Sequence, residues 1–504
     1  MLSDYRQRFV EYHSELARED YLFRSGRTAR RDVAHIFSEY SDLFRLSVVE
    51  ELRAKLNDVS ESRKTERKGI QALIAFALEG NLAARVRELS AEIEDYEAAS
   101  KIDWEGEKVT FRQSEELLAT ESDRQRRREL YARRAGVISG TEDLQAERFE
   151  KLRAGAAELG FAKAVERDFE SYPAMRSQLR GLDFGKLEMA AAKILEATES
   201  RYVSSLAPLL RREIGASIDD ATSADLPYLR RYTRFDAFFQ PEQMLRIYRE
   251  LFSNFGFNTD KQSNVEIDAA PRSGKQSQAI CLPIQVPDEI KLVVNPTGGQ
   301  WNYRKFLRAA GQAQASAWTS RKLPPEFQIG GDAAVPLAWG MLLENLMLEE
   351  PWLMGTFGFV ESAEFRHTLS VLRLMDLRHE AAKFRYELEF HSGKLTSGIG
   401  QHYAELMTEA VRVRFDEAEA FSVISDQFRP ADFLRAAAFE AQMRDYLKTK
   451  FGSRWWASAK AGEMLIDLWN TGKQYSVEEL AAMIGLGELD FEGLFLLNMD
   501  VTHK

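Results

Sequence analysis

The sequence predicts a mainly α-helical protein with one small antiparallel sheet. Apolar residues recur three or four positions apart through most of the chain, as at Leu187, Ala191 and Ile194, which is typical of helices that bury one face. The exception is 265–294, where alternating and β-branched residues between turn signals predict short strands. With 504 residues, the chain is long enough for two or three lobes.

The elements fall into two consecutive lobes in chain order. The periodicity of residues 1–260 predicts an N-terminal helical lobe. The pattern of residues 261–504 predicts a second lobe, which contains the sheet. Within the second lobe, a helix is expected at 300–318 and another at 333–349, followed by C-terminal helices. No repeat, low-complexity tract or long linker interrupts the chain. We therefore expect a boundary between two lobes near residue 260, and not a flexible hinge between independent domains.

Composition excludes several classes of function. Hydrophobic residues make up 44% and charged residues 29%, as in globular proteins, and the net charge of −11 argues against a nucleic-acid partner. The first residues have no apolar core of signal-peptide length, and the longest apolar run, Ala333 to Leu348, is too short to span a bilayer and contains Glu344. Cys281 is the only cysteine, which fits a reducing compartment. We therefore expect a cytoplasmic protein with neither a membrane nor a nucleic-acid partner.

The most informative stretch is 306–313, which reads FLRAAGQA. It follows a strand-like segment and a Gly-Gly turn at 290–299, and it lies within the helix expected at 300–318. Zinc peptidases carry the pattern His-Glu-x-x-His on such a helix, with the two histidines on one face and the glutamate as general base. Here those positions hold Arg308, Ala309 and Gln312.

The segments 281–289 and 331–346 on either side of this helix resemble the catalytic core of the helical gluzincin zinc peptidases. This group contains the thimet oligopeptidase and oligoendopeptidase class and is related to angiotensin-converting enzyme. The resemblance is specific over about 280–353 and about 428–472. It implies a two-lobed helical fold, with a small sheet beside the motif helix and a central channel between the two halves.

The resemblance also implies which residues would carry the chemistry. The third zinc ligand of the family is a glutamate on the helix after the Gly-Asp turn, and the matching position holds Leu337. A tyrosine that steadies the transition state matches Phe433. Leucine has no donor for zinc, and phenylalanine has no hydroxyl group. We therefore expect neither bound zinc nor peptidase activity.

The residues of the motif helix support the same expectation in chemical terms. Arg308 is a permanent cation without a lone pair, Gln312 is a weak oxygen donor, and Ala309 cannot accept a proton. A guanidinium at this position could instead pair with a buried carboxylate, for which Asp332 and Glu344 are candidates. The alternative is that Arg308 points into solvent and pairs with nothing.

The favoured hypothesis is a pseudopeptidase that binds a peptide or protein partner in the old channel. Addition of a peptide strand to a sheet edge needs only main-chain hydrogen bonds and no metal. The edge strand is expected near Cys281, Pro283, Ile284 and Gln285. Proline at Ile284 is expected to abolish binding if the N–H of that residue faces the channel.

Two alternatives remain open at the level of the sequence. One is a repurposed, metal-free enzyme, in which Arg308, Gln312 and Tyr303 or Tyr403 bind an anionic small molecule. The other is an active peptidase with an unrecognised metal site. Fold resemblance alone does not decide among the three.

Overall fold

The computed structural model describes residues 1–161 and 171–494. Within these ranges the protein is mainly helical, with twenty α-helices and five short strands. The helices are α1 (Leu2–Arg24), α2 (Ala34–Glu39), α3 (Leu46–Asp58), α4 (Lys64–Ala99), α5 (Phe111–Thr120), α6 (Arg124–Ser139), α7 (Glu142–Phe161), α8 (Tyr172–Arg180), α9 (Phe184–Ile214), α10 (Leu226–Arg231), α11 (Met244–Asn254), α12 (Gly299–Ala317), α13 (Pro325–Gln328), α14 (Ala334–Glu344), α15 (Glu350–Phe357), α16 (Ala363–His391), α17 (Ile399–Val411), α18 (Arg429–Phe451), α19 (Ala459–Trp469) and α20 (Val477–Met483). None of the described helices is both long and apolar enough to cross a membrane.

The chain forms two compact units, each assembled from separate stretches of sequence. The first contains 1–77, 233–369 and the described part of 435–504, and the second contains the described part of 78–232 together with 370–434. A single boundary near residue 260 therefore does not describe these units. Hydrophobic periodicity identifies helices, but it does not identify which distant helices pack together.

The apolar stripes predicted from the sequence form the cores of the units. In the second unit, Leu187, Ala191 and Ile194 of α9 are fully or almost fully buried. Arg378 of α16 is also buried, and it donates hydrogen bonds to the carbonyl oxygens of Leu195 and Ala410, each at 2.7 Å. Its guanidinium thus donates to main-chain carbonyl groups of two neighbouring helices. These hydrogen bonds offset the free-energy cost of burying the charge.

A short hairpin in the second unit was not foreseen from the sequence. Strands β1 (Lys101–Trp104) and β2 (Glu107–Thr110) pair antiparallel, and Glu105 and Gly106 between them both adopt positive φ angles. Two consecutive residues with positive φ form the turn that suits a two-residue hairpin. The strands are only four residues long, so their alternating pattern is difficult to distinguish from part of a helix.

The first unit contains a three-stranded sheet in the region where strands were predicted. Its strands are β3 (Val265–Asp268), β4 (Ile280–Gln285) and β5 (Glu289–Val293), in the spatial order β3-β5-β4. Strand β4 pairs antiparallel with β5, but β3 runs parallel to β5, so the sheet is mixed and not wholly antiparallel as predicted. The chain between β3 and β5 is long enough to contain β4 and to return to the starting edge, which permits the parallel pairing.

Candidate functional site

The turn that precedes α12 fixes the start of that helix. Gly298 has a φ of +73°, and a Cβ atom there would lie 2.7 Å from the carbonyl oxygen of Phe239. Glycine alone avoids both the strained backbone and the clash. The N–H of Gln300 then donates to Oδ1 of Asp236 at 2.9 Å, which satisfies one of the free donors at the helix start. These contacts hold α12 directly behind β5, as the strand, turn and helix pattern predicted.

Helix α12 presents one partly exposed polar face and otherwise lies in the core. Its bounds, Gly299–Ala317, differ by one residue at each end from the predicted 300–318. Ala309 and Gly311 are buried, whereas Arg308 and Gln312 are half-buried and lie four residues apart on one face. The structure therefore places the two expected ligand positions side by side and the expected general-base position against the core.

Helix α14 packs against α12 with little separation between the two backbones. A Cβ atom on Gly311 would lie 2.3 Å from the carbonyl oxygen of Trp339 and 3.1 Å from Cα of Gly340. A Cβ atom on Gly340 would in turn lie 2.9 Å from Cγ of Arg308 and 3.1 Å from Cγ of Gln312. Glycine on each helix therefore permits the contact, and the stems of the two polar side chains meet over Gly340.

The third expected ligand position lies close to this contact along α14. Leu337 is half-buried and precedes Gly340 by three residues, so both lie on the same face of the helix. The positions of Arg308, Gln312 and Leu337 are thus brought together by the fold, although they come from two helices.

The expectation that Arg308 pairs with a buried carboxylate is confirmed, with Glu344 as the partner. Nε of Arg308 donates to Oε2 of Glu344, and Nε of Arg304 donates to Oε1 at 3.1 Å. Nη2 of Arg304 also lies 2.9 Å from Oε1 in an ion pair. Arg304 and Glu344 are both buried. One carboxylate on α14 therefore binds two guanidinium groups on α12.

Asp332, the other candidate, has a different partner. Its carboxylate accepts hydrogen bonds from Arg435 at 2.7 and 2.9 Å and from the N–H of Val477 at 3.1 Å. Burial alone would raise the pKa of Asp332, but the charge and hydrogen bonds of Arg435 hold that pKa below its ordinary value. Asp332 thus ties the start of α14 to α18 and α20 and leaves Glu344 to Arg308.

Strand β4 is an edge strand next to α12. In β5, the N–H of Ile290 donates to the carbonyl of Asn264, and the N–H of Val294, directly after β5, donates to the carbonyl of Asp268, each at 2.9 Å. The even-numbered residues there thus direct their N–H groups towards β3. Because main-chain groups alternate along a strand, residues of β4 opposite the even-numbered positions of β5 direct theirs away from the sheet.

Cys281 and Pro283 occupy these outward positions. They lie opposite Leu292 and Ile290 in the register of β4 and β5. Proline has no N–H and is tolerated at an edge position of this kind. The N–H of Cys281 has no hydrogen-bond partner in the part of the chain that the structure describes, so the outer edge of β4 offers this donor and the carbonyl groups beside it.

Ile284 is a poor position for the proline change that the sequence suggested. It lies at an irregularity in the pairing between Pro283 and Gln285, and its side chain is buried in a cluster with Tyr21 and Leu282. Proline at this position would disturb the core as well as the strand, so the informative position for such a change is Cys281. Gln285 is exposed at the end of β4.

The thiol of Cys281 is a packing group. It lies against a buried cluster of Val286, Ile290, Ala313 and Ala317. Burial raises the pKa of the Cys281 thiol to about 12, so it is protonated at neutral pH and is a poor nucleophile. The main chain of Cys281, and not its sulfur, is therefore the group of interest.

Three further predicted site residues remain, one in the first unit and two in the second. Tyr303 is fully buried, and its hydroxyl donates to the carbonyl of Gln240 at 2.6 Å, which removes it from the candidate site. Phe433 lies half-buried on α18 and belongs to the second unit. Tyr403 is likewise in the second unit, where its hydroxyl lies 3.5 Å from Oε2 of Glu419.

The donor groups at the candidate site do not fit zinc, the metal that the resemblance implies. Zinc binds imidazole, thiolate or carboxylate groups, whereas the three converging positions offer a guanidinium, an amide and an isobutyl group. Glu344, the nearby carboxylate, already binds two arginines. Throughout the described ranges, no group of three or more His, Cys, Asp or Glu residues is arranged to hold a metal ion.

Comparison with solved structures identifies the fold. A structure described as Pz peptidase A with inhibitor 2 matches 98% of this chain and 90% of its own chain, with a TM-score of 0.69 and 15% sequence identity. The chain has the fold of Pz peptidase A. The predicted mainly helical peptidase fold is thereby confirmed, and at 15% identity the likeness to Pz peptidase A shows the fold alone. No family model and no curated protein matches the sequence.

Sequence reasoning missed three residues of the site, although each left a signal. Arg304 precedes Arg308 by four residues and so shares its helical face, which could have predicted a joint partner. Gly311 and Gly340 are small residues within two apolar helices, a pattern that permits close packing but does not specify the partner helix.

Proposed function

We propose that this protein is a catalytically degenerate metallopeptidase homologue that binds an extended peptide or protein segment along β4 without cleaving it. The observation that carries the proposal is the outward main chain of Cys281 on an edge strand that lies directly beside α12. Strand addition uses such groups and requires no metal.

The chemistry of α12 and α14 supports binding without cleavage. Cleavage by the mechanism of the resembled family would need two imidazoles, a carboxylate ligand and a general base. Arg308, Gln312, Leu337 and Ala309 supply none of these groups. The pairing of Arg308 with Glu344 further supports the proposal, because it gives a carboxylate of this site a stable partner other than a metal-bound histidine.

The two other functions receive less support. A metal-free enzyme acting on a small molecule would use the anion-binding capacity of Arg308, but Tyr303, which was expected to assist, lies in the core. An active peptidase with another metal site would need a cluster of donors, and the described residues contain no such group. We place the protein in the cytoplasm as part of the same proposal, because its only cysteine is a packing residue.

Calorimetry with an extended, N-acetylated and C-terminally amidated peptide library tests the proposal. Cys281→Pro should abolish binding because it removes the outward N–H. Pro283→Ala should strengthen binding severalfold, because it adds a second outward donor worth about 0.5–1.5 kcal/mol.

Cys281→Ala is the matched control for the first change. It keeps the main-chain N–H and removes only the thiol, so most of the affinity should remain. The proposal fails if no peptide binds, if the peptides are cleaved, or if Cys281→Pro and Cys281→Ala weaken binding equally in folded proteins.

A further inference from the structure

The cluster formed by Arg304, Arg308 and Glu344 carries an excess positive charge. Two guanidinium groups share one carboxylate, and neither arginine has another acidic partner among the described residues. Arg304 and Glu344 are 4% and 3% exposed, so solvent screens this charge poorly. A half-buried cluster with one uncompensated positive charge is well suited to bind an anion.

Arg308 directs its unused donors to the accessible side of the cluster. Its Nε is bound to Glu344, its side chain is 26% exposed, and its two terminal nitrogens have no partner in the described part of the chain. Anchoring of Nε fixes the plane of the guanidinium, so the two terminal N–H groups form a preorganised fork. A fork of this kind matches the two oxygens of a carboxylate.

Gln312 adds a neutral hydrogen-bonding group beside this fork. Its side chain is half-buried, and its amide has no hydrogen-bond partner within the described ranges. The stems of Arg308 and Gln312 converge over Gly340, where a Cβ atom would lie about equally far from Cγ of each. The amide N–H group of Gln312 can therefore assist a ligand held by Arg308.

We propose that Arg308 and Gln312 form a binding site for a free carboxylate at the positions where the resemblance expects two zinc ligands. When the ligand is a peptide, this group is its C-terminal carboxylate, and that part of the inference rests on the proposed function. A small organic acid presents the same chemistry. The ligand class is in both cases a carboxylate, bound by charge and by geometry and without a metal.

The test compares three probes by calorimetry: N-acetyl-tetraalanine with a free carboxylate, the same peptide as its C-terminal amide, and sodium succinate. The free acid should bind at least about tenfold more tightly than the amide, since a hydrogen bond to a charged group commonly contributes that much. Arg308→Gln should remove this preference, and Gln312→Leu should reduce it.

Lys322→Gln is the charge-matched control. Lys322 is exposed just beyond α12, so its loss removes one positive charge and should leave the preference for the acid unchanged. Arg308→Gln leaves Glu344 paired with Arg304, and its circular dichroism and thermal transition verify that the variant is folded. Gln312→Leu provides a second variant that does not touch the ion pair.

The outcomes separate this inference from the proposed function. Equal affinities for acid and amide would overturn the carboxylate site while peptide binding stands. Binding of succinate that depends on Arg308, without binding of either peptide, would support the carboxylate site and overturn the proposed function. An acid preference that persists in Arg308→Gln, or absence of binding by all three probes, would overturn the carboxylate site.

Discussion

Arg308 donates its Nε–H to Oε2 of Glu344, and this bond joins the helix where the resemblance expects two zinc ligands to the helix where it expects the third. In a metallopeptidase of this fold, a metal ion would link the two helices. Here a cation that belongs to the chain itself makes the link. The guanidinium of Arg308 supplies an electrostatic partner for the buried carboxylate of Glu344.

Glu344→Gln should strongly destabilise the protein. Two guanidinium groups would lose their only shared carboxylate, and removal of one partner from a buried ion pair costs about 3–5 kcal/mol. Urea unfolding measures the change. Glu350→Gln is the control, because Glu350 is 57% exposed in its pair with Arg366 and should contribute about 0–1 kcal/mol. Similar losses in the two variants would contradict the structural role of Glu344.

Gly311→Ala should destabilise the packing of α12 on α14. The new Cβ atom would lie 2.3 Å from the carbonyl oxygen of Trp339, so the helices must move apart at a cost of about 1–3 kcal/mol. Gly355→Ala on α15 meets open space and should be neutral or stabilising by up to about 1 kcal/mol. Thermal unfolding distinguishes the two, and an equally harmless Gly311→Ala would mean that the helices are not in close contact.

Glu387→Gln should change how stability depends on pH. Burial raises the pKa of Glu387 to about 8, and its Oε2 has no hydrogen-bond partner in the described chain. Because its pKa in the unfolded chain is about 4.3, the folded state holds the proton over the window between these values. The contribution of Glu387 to the free energy of unfolding is fully present below about pH 4.3. It decreases as the pH rises above this value and is lost as the pH rises through about 8.

Glutamine does not titrate, so the variant does not lose stability in this way. The free energy of unfolding of the variant minus that of the wild type should therefore be larger at about pH 9 than at about pH 5, by an amount on the order of a few kcal/mol. Denaturant unfolding at the two pH values measures it. Glu405→Gln, at an exposed position of α17, is the control and should leave the pH dependence unchanged. A Glu387 variant that follows the wild-type curve would contradict the buried, protonated state.

Part of the site was predictable because Arg308 and Gln312 lie on one regular helix. The strand, turn and helix pattern located α12 to within one residue, and the chemistry of Arg308 predicted a buried acidic partner. The same periodicity could also have excluded Tyr303. It precedes Arg308 by five residues, which rotates it by about 140° around the helix and so directs it into the core.

Other features depend on contacts between distant segments and could not be read from local patterns. The parallel pairing of β3 with β5 joins two strands separated by β4, and short apolar strands carry no signal for their direction. The buried position of Ile284 follows from packing against Tyr21 of α1, far away in the sequence. The division into two units likewise depends on which distant helices pack together.

The triple variant Arg308→His, Gln312→His and Leu337→Glu should gain zinc binding. The stems of residues 308 and 312 converge over Gly340, one helical turn from Leu337, and Arg304 remains to pair with Glu344. Ala309 is left unchanged because it is buried and because the general base is not a ligand. Failure of the folded variant to bind zinc would mean that these three positions do not form the expected site.

Elemental analysis of the purified wild-type protein tests the central claim most directly. After incubation with zinc and extensive dialysis, we expect no stoichiometric metal, since Arg308, Gln312 and Leu337 together offer at most one weak oxygen donor. One zinc ion per chain that survives mild chelation would contradict the account and would favour an active peptidase with a metal site elsewhere.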